Sequence, residues 1–481
     1  MSQRSEHKVE QHQQAAIRSG KILDIVDPSR KPRSAVIIAL DGGRYDYVER
    51  FHTPNIDSLI RDGVSFRNAV ASNCPALTAP GYASIATGVF IKEHGIYTSL
   101  EWYDKKSRQV KYFYDEEKGI MDLEQPTITD LIKAKNPAAR VASVSTKDRN
   151  ALLLAGNAAD IIAYSYRERV FERQAVEEAY SGAGVHSDYY SWASLRGREL
   201  PAYLKDLHLP RTVDWKGKGF VHPGADAADT SYVDRFIMEC ALEILEKEEP
   251  ALLIIGLVSS NITAHAYTPD SPEVEDAMLT IDQEIGRLIQ KLKDMGRLDD
   301  TLIVMSSDHG MTVKPSGVDL LKELAKRHYD DVVANIMHLY SGEVGGVYLE
   351  DVRPSTIERT ISAIESVAHI KGAWYKYDPT APWFIKRSAH YRAPDITIVP
   401  EKDWVIFEPG WEKPSFVGGH GPCYPSDTSI LMIFSGPGVK KLGTVGTPLD
   451  YSSGELITDS EIEKLPEQVD IFPTMKSIMG L

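Results

Sequence analysis

Short uninterrupted apolar runs alternate along this chain with stretches in which apolar positions recur every three or four residues. The first kind predicts buried strands and the second amphipathic helices. Residues Ser34 to Leu40 form such a run, and Thr53-Pro54-Asn55 then opens a helix, with Thr53 at the N-cap and Pro54 at the first helical position. Ser65 to Ala71 predicts a strand, and the small residues after Pro80 predict a helix packed closely on a sheet. A helix at Leu131 to Ala134 and a strand at Ala139 to Thr146 come next. Val233, Phe236, Ile237, Cys240, Ile244 and Leu245 mark one face of a helix from Asp229 to Lys247. The strand Ala251 to Val258 feeds a polar loop, Ser259 to His265. Val274, Met278, Ile281, Ile285, Leu288 and Leu292 predict a helix from Pro272 to Met295, before a strand at Leu302 to Met305. Ser429 to Phe434 predicts a late strand and Gln468 to Met479 a closing helix. This alternation predicts an α/β fold: a mostly parallel central sheet with helices on both faces.

Two stretches depart from the alternation. Residues near 150–223 are rich in charge and in tyrosine (Tyr164, Tyr166, Tyr180, Tyr189, Tyr190) and predict a first insertion. Residues near 316–393 predict a second, a cap with helices at Leu320 to Arg327 and Thr356 to Val367 and strands at Gly345 to Leu349 and Ala373 to Tyr377. Asp395 to Val399 and Val405 to Glu408 predict further strands. Residues 1–33 are polar and glutamine-rich and predict an arm, so that 34–481 is one domain carrying both insertions.

Composition narrows the function without naming it. The 481 residues carry a formal charge of −15, which argues against a nucleic-acid polymer as partner. A small anionic substrate remains compatible wherever cations offset that field. Three cysteines, Cys74, Cys240 and Cys423, do not make a disulfide framework. No apolar run is long enough to span a membrane, and Met1 to Lys31 has no hydrophobic signal region. The expectation is a cytoplasmic protein, or a periplasmic or secreted one if a signal peptide has been removed. Oligomeric state is left open.

The candidate chemistry lies where apolar runs stop. Asp41 follows one run, Asp308 and His309 another, and His265 a third, while His420 sits in the turn Gly418-Gly419-His420-Gly421. Carboxylate and imidazole suit hard and borderline metals. The carboxyl ends of parallel strands converge on one edge, where such groups can meet. Thr78, at the start of the small-residue helix, is placed either as a nucleophile beside an anion-favouring helix end or simply as an N-cap.

In this order the motifs resemble the alkaline phosphatase superfamily, within it the type I phosphodiesterase/nucleotide pyrophosphatase branch, to which phosphonoacetate hydrolase is related. The residues that carry the resemblance are Asp41, Thr78-x-Pro80-Gly81, Thr87-Gly88, His94-Gly95-Ile96, His265, Asp308-His309-Gly310, Gly418-x-His420-Gly421 and the closing Val469-Asp470-Ile471-x-Pro473-Thr474. It covers roughly residues 34–315 and 390–481. The resemblance implies two divalent metal ions, zinc or alternatively manganese. One would be held by Asp41, Thr78, Asp308 and His309, the other by Asn261, His265 and His420. It further implies attack by Thr78 on a phosphodiester or pyrophosphate bond and a phosphothreonine intermediate. A phosphonate or phosphomonoester hydrolase, or a non-catalytic metal-dependent binder, are the alternatives. Two positions depart from the family pattern. An asparagine, Asn261, stands where an aspartate is expected, either as a native weakening of the second site or as an introduced change. Beyond Ile96 the chain has Tyr97-Thr98-Ser99 where relatives often carry an asparagine, which leaves Thr98 or Ser99 as donors to a phosphoryl oxygen.

Overall fold

The computed structural model describes residues 22–99, 101–115, 120–166, 191–193, 201–205, 212–215, 218–221, 231–407 and 417–481. Its centre is a nine-stranded sheet. The strand Ser34–Leu40 lies in the middle, parallel to Leu252–Leu257 on one side and to Thr301–Ser307 on the other. Beyond Leu252–Leu257 the parallel strands Val141–Ser145 and Ile161–Tyr166 continue the sheet, and Ser191–Ala193 closes that edge antiparallel. On the other side Met432–Ser435 and Gly63–Phe66 each run antiparallel to the strand before, and Gly443–Val445 forms the far edge.

The uninterrupted apolar runs are explained by burial on both faces. Ala35, Ile37 and Ala39 enter one core and Val36, Ile38 and Leu40 the other. The first core is covered by the helices Thr78–Thr87, Ile128–Lys135, Asp148–Ala155 and Ile471–Met479. The second is covered by Pro54–Arg61, Ser231–Glu248 and Pro272–Asp294. The predicted α/β architecture is therefore the observed one. Among the described residues no helix is long and apolar enough to cross a membrane.

Several local expectations change. Residues 148–166, placed in the first insertion by their sequence, supply a helix and a parallel strand of the main sheet. Tyr164 is a core residue, whereas Tyr180, Tyr189 and Tyr190 lie outside the described residues. The end of the predicted arm is docked: Ile22 and Ile25 are buried, and the Asp27 amide donates to the Gly438 carbonyl. Thr53 makes no capping bond. The carboxylate of Asp282, from the long helix, instead accepts from the Asn55 and Ile56 amides at 2.9 and 2.8 Å. The second departure from alternation has its own four-stranded antiparallel sheet, Ile336–Tyr340, Gly345–Leu349, Ile396–Pro400 and Ile370–Tyr375 in that order, with a separate apolar core. Ile396–Pro400, expected beyond this cap, is thus one of its inner strands. Its near-continuous apolar pattern cannot distinguish the two sheets.

Candidate active site

The parallel register sets Leu40 opposite Leu257 on one side and Ser307 on the other. The chain leaves all three strands at one level: into Asp41, into the helix Ser259–Tyr267, and into Asp308-His309. Asp41, Asp308 and His309 are wholly buried, with their ligand atoms within 4.8 Å of one another. His309 Nε2 is 3.2 Å from Asp308 Oδ2, 3.5 Å from Asp41 Oδ1 and 3.3 Å from Thr78 Oγ1. The Gly42 amide donates to Asp308 Oδ1 at 3.0 Å. Gly42 has φ +65°, which turns the chain sharply after Asp41. Gln468, from the closing segment, donates to the Ser307 carbonyl at 2.9 Å and also to that of Asp308, fixing the strand end.

Thr78 is the first residue of a helix whose ten residues are all buried. Leu77 takes the N-cap position, so the Thr78 hydroxyl is not spent on capping and meets His309 instead. The Thr-x-Pro-Gly spacing has a steric reason. Gly81 lies on the same helical face as Thr78, and a Cβ there would stand 2.5 Å from the Asp308 carbonyl oxygen. Only glycine lets this helix close onto the Asp308 turn.

The stretch Ser259 to His265, expected as a loop, is part of a helix. Its start is held by Asp234, whose carboxylate accepts from the Val258 amide at 2.8 Å, the Ser259 amide at 3.1 Å and the Ser259 hydroxyl. A remote aspartate supplies the cap, and the Ser-Ser-Asn-Ile-Thr sequence does not reveal it. The helix places Asn261 and His265 four residues apart on one face. His265 Nδ1 donates to the Gly418 carbonyl at 2.8 Å, His420 Nδ1 to the Ala76 carbonyl at 2.9 Å, and His309 Nδ1 to the Gly310 carbonyl at 2.8 Å. These bonds occupy Nδ1 of all three rings and leave Nε2 as the nitrogen of each that could ligate a metal. The His420 ring stacks on His309 with centroids 3.2 Å apart and lies 5.3 Å from His265, which joins the two groups into one site.

The groups differ in charge. Burial opposes a proton on His309, but Asp308 and Asp41 outweigh it and raise this imidazole to about 10. Burial lowers His265 to about 4 and takes His420 well below its ordinary value, so both are neutral. Burial alone would raise Asp41, yet the neighbouring Lys147 ammonium holds it well below the usual carboxylate range. Lys147 was not singled out in the sequence. Its Nζ donates to Asp41 Oδ2 at 2.7 Å and to Asn261 Oδ1 at 2.8 Å. It follows the strand Val141–Ser145 by two residues, so the strand-end rule that finds Asp41 would also have found it. Asn150 Nδ2 donates to the same Asp41 oxygen at 3.2 Å.

The residues fit a divalent cation in the first group. Asp41 Oδ1 and Asp308 Oδ2 are buried and accept no well-formed hydrogen bond among the described residues, with the His309 imidazole facing them at 3.5 and 3.2 Å. Such carboxylate oxygens need a cation, and two carboxylates, an imidazole and a hydroxyl form a set suited to zinc or manganese. The second group offers only neutral donors. Thr98 is committed elsewhere: its hydroxyl donates to the Glu101 carbonyl and accepts from the Glu101 amide at 3.2 Å. Ser99 is half-buried.

Residues 35–423 match the profile of the type I phosphodiesterase/nucleotide pyrophosphatase family. The chain is 25% identical to the alkaline phosphatase PhoV of Synechococcus elongatus, over 85% of this chain and 86% of that one. It is 23% identical to the alkaline phosphatase PafA of Elizabethkingia meningoseptica, over 58% and 60%. The crystal structure of PafA superposes with a TM-score of 0.68 at 18% identity, covering 94% of this chain and 97% of that one. Phosphonoacetate hydrolase from Sinorhizobium meliloti, in complex with phosphonoformate, superposes with a TM-score of 0.58 at 17% identity, covering 94% and 98%.

Proposed function

The chain belongs to the type I phosphodiesterase/nucleotide pyrophosphatase family, hydrolases of phosphoric esters within the alkaline phosphatase superfamily, and on that premise we propose that it is a metal-dependent phosphohydrolase whose Thr78 accepts the phosphoryl group. The observation that carries this reading is the Thr78 hydroxyl 3.3 Å from His309 Nε2, at a buried helix start beside two carboxylates. Asp41, Thr78, Asp308 and His309 would hold one divalent ion, zinc or manganese, and Asn261, His265 and His420 would line the place that a second occupies in the family's two-metal pattern. When bound, such an ion lowers the pKa of the Thr78 hydroxyl and offsets charge on the phosphoryl oxygens.

The chain's own groups supply orientation. The helix start would present Thr78 Oγ1 to the phosphorus, and its positive end would favour the equatorial phosphoryl oxygens. The Oγ1–P bond forms as the bond from phosphorus to the leaving oxygen breaks; the Thr78 hydroxyl proton passes to water, and the leaving group departs with the bonding pair and takes up a proton from solvent. Water then cleaves the phosphothreonine, returning the hydroxyl and releasing phosphate or a monoester. Lys147 adds a positive charge beside Asp41, whose carboxylate opposes the lowering of the lysine's pKa by burial. Phosphodiester or pyrophosphate cleavage is the reading that the family supports. Phosphomonoester cleavage is the second, favoured by the alkaline phosphatase names of broadly matching relatives and by a Thr98 hydroxyl already engaged.

The experiment compares p-nitrophenyl phosphate, bis-p-nitrophenyl phosphate and a p-nitrophenyl phosphonate, each with added zinc or manganese. Thr78→Ala should remove turnover of whichever is cleaved, by on the order of 10³-fold or more. Acid quenching should trap a phosphoryl adduct on the peptide bearing Thr78. Metal-loaded protein that turns over none of the three, or a Thr78→Ala variant as active as the parent, overturns the proposal.

A further inference from the structure

The second group lacks a charge that the first group has. Asn261, His265 and His420 bring no carboxylate, whereas Asp41 and Asp308 bring two to the first group. Asn261 already turns its carbonyl oxygen to an ammonium. Its Oδ1 accepts from Lys147 Nζ at 2.8 Å, while its Nδ2 is buried with no hydrogen-bond partner among the described residues. The same Nζ donates to Asp41 Oδ2 at 2.7 Å. Lys147 therefore stands between the two groups, touching one ligand of each, with its side chain mostly buried.

We propose that the Lys147 ammonium takes the place of a second metal ion in this chain, leaving one tightly held divalent cation at Asp41, Asp308 and His309. The inference rests on the metal-dependent reading above and deepens it. An ion in the second group would have to share Asn261 Oδ1 with the Lys147 ammonium and otherwise rely on two imidazoles. A catalytic zinc site ordinarily has three protein ligands. An ammonium within a few ångströms also repels a divalent ion in a poorly solvated site. The arrangement is consistent in charge: the amide at position 261 adds no negative charge to hold a second divalent ion, and a single ammonium already bridges it to Asp41.

The test is metal stoichiometry, which needs no substrate. The 481-residue chain is stripped with chelator and titrated with zinc against a chromophoric competitor, alongside Lys147→Met, Lys147→Gln and Asn261→Asp. The parent should bind one zinc tightly and the next at least about tenfold more weakly. Either Lys147 variant should keep the first zinc, which reports an intact fold, and tighten the second by about tenfold or more. Asn261→Asp should tighten it likewise by restoring the charge. Two zinc ions bound by the parent within roughly threefold of each other overturn the inference. So does a second affinity that neither Lys147 variant improves. A parent that binds no zinc at all would instead remove the metal-dependent reading itself, so the two failures are distinct.

Discussion

Asp41, Asp308 and His309 hang directly from the ends of two adjacent parallel strands, whereas Asn261, His265 and His420 come from a helix and a glycine-rich turn. The first set inherits its positions from sheet register. Leu40 pairs with Ser307, so the next residues must meet. The second set inherits its positions from caps and carbonyl contacts: Asp234 under the helix, Gly418 behind His265, Ala76 behind His420. The first set concentrates two buried carboxylates and needs a cation to be stable. The second set is neutral and has an ammonium beside it. Placement by sheet register allows a dense anionic site, while placement by helix and turn leaves the neighbouring half open to change without disturbing the core.

The sharpest way to break this comparison is to remove one ligand from each half. Asp308→Ala should abolish tight zinc binding and cost on the order of 10³-fold or more in turnover. His420→Ala should cost less, roughly ten- to a hundredfold, and leave the tight zinc in place. Paired measurements of kcat/KM and zinc affinity check this. Equal losses in the two variants would show that the halves are not separable.

Gly81→Ala tests whether the first half depends on close approach rather than on ligand identity. The added methyl would meet the Asp308 carbonyl at 2.5 Å, so the helix or the turn must give way. A shift of about 1 Å at Thr78 should lower turnover by about 10²-fold while every ligand remains. Zinc affinity and near-ultraviolet circular dichroism check that the site is displaced and not lost. Unchanged turnover would show that Thr78 does not need this packing.

The same contrast explains what could be read in the chain beforehand. Asp41, Asp308 and His309 follow uninterrupted apolar runs, and the parallel α/β pattern sends such positions to one edge. That logic needs only local sequence. The central strands and the long helix Pro272–Asp294 were legible for the same reason. The helix Ser259–Tyr267 was not, because serine, asparagine and threonine are poor helix formers and the capping carboxylate comes from Asp234, distant in sequence. The helix Asp148–Ala155 was hidden by the tyrosine- and charge-rich stretch that follows it. Lys147 was overlooked because a lysine beside a strand usually reads as surface, although here its ammonium is bonded inside the site. Ile396–Pro400 shows a further limit: an apolar run predicts a strand without saying which sheet it joins.

Asp234 offers the mildest and most specific test of the second half. Burial raises its carboxyl to about 6, only partly opposed by the Ser259 hydroxyl and the Val258 and Ser259 amides. In the unfolded chain an aspartate titrates near 3.9, so the folded state binds this proton more tightly. Stability from this group is therefore fully present below about 4 and is lost as pH rises through about 6. Two pH units correspond to at most about 2–3 kcal/mol. Urea unfolding of metal-free parent and Asp234→Asn between pH 4 and 7 isolates the effect. The parent's stability relative to the variant should fall across that window and level off above it. Asp234→Ala, which leaves the Val258 and Ser259 amides without their acceptor, should lose about 1–3 kcal/mol even at the acid end. It should also loosen the Asn261–His265 face while leaving the zinc at Asp308 tight. Parallel stability curves for parent and Asp234→Asn would mean that Asp234 holds the helix start without sensing pH. A loss of the Asp308 zinc in Asp234→Ala would mean that the cap supports both halves, contrary to the separation drawn from register.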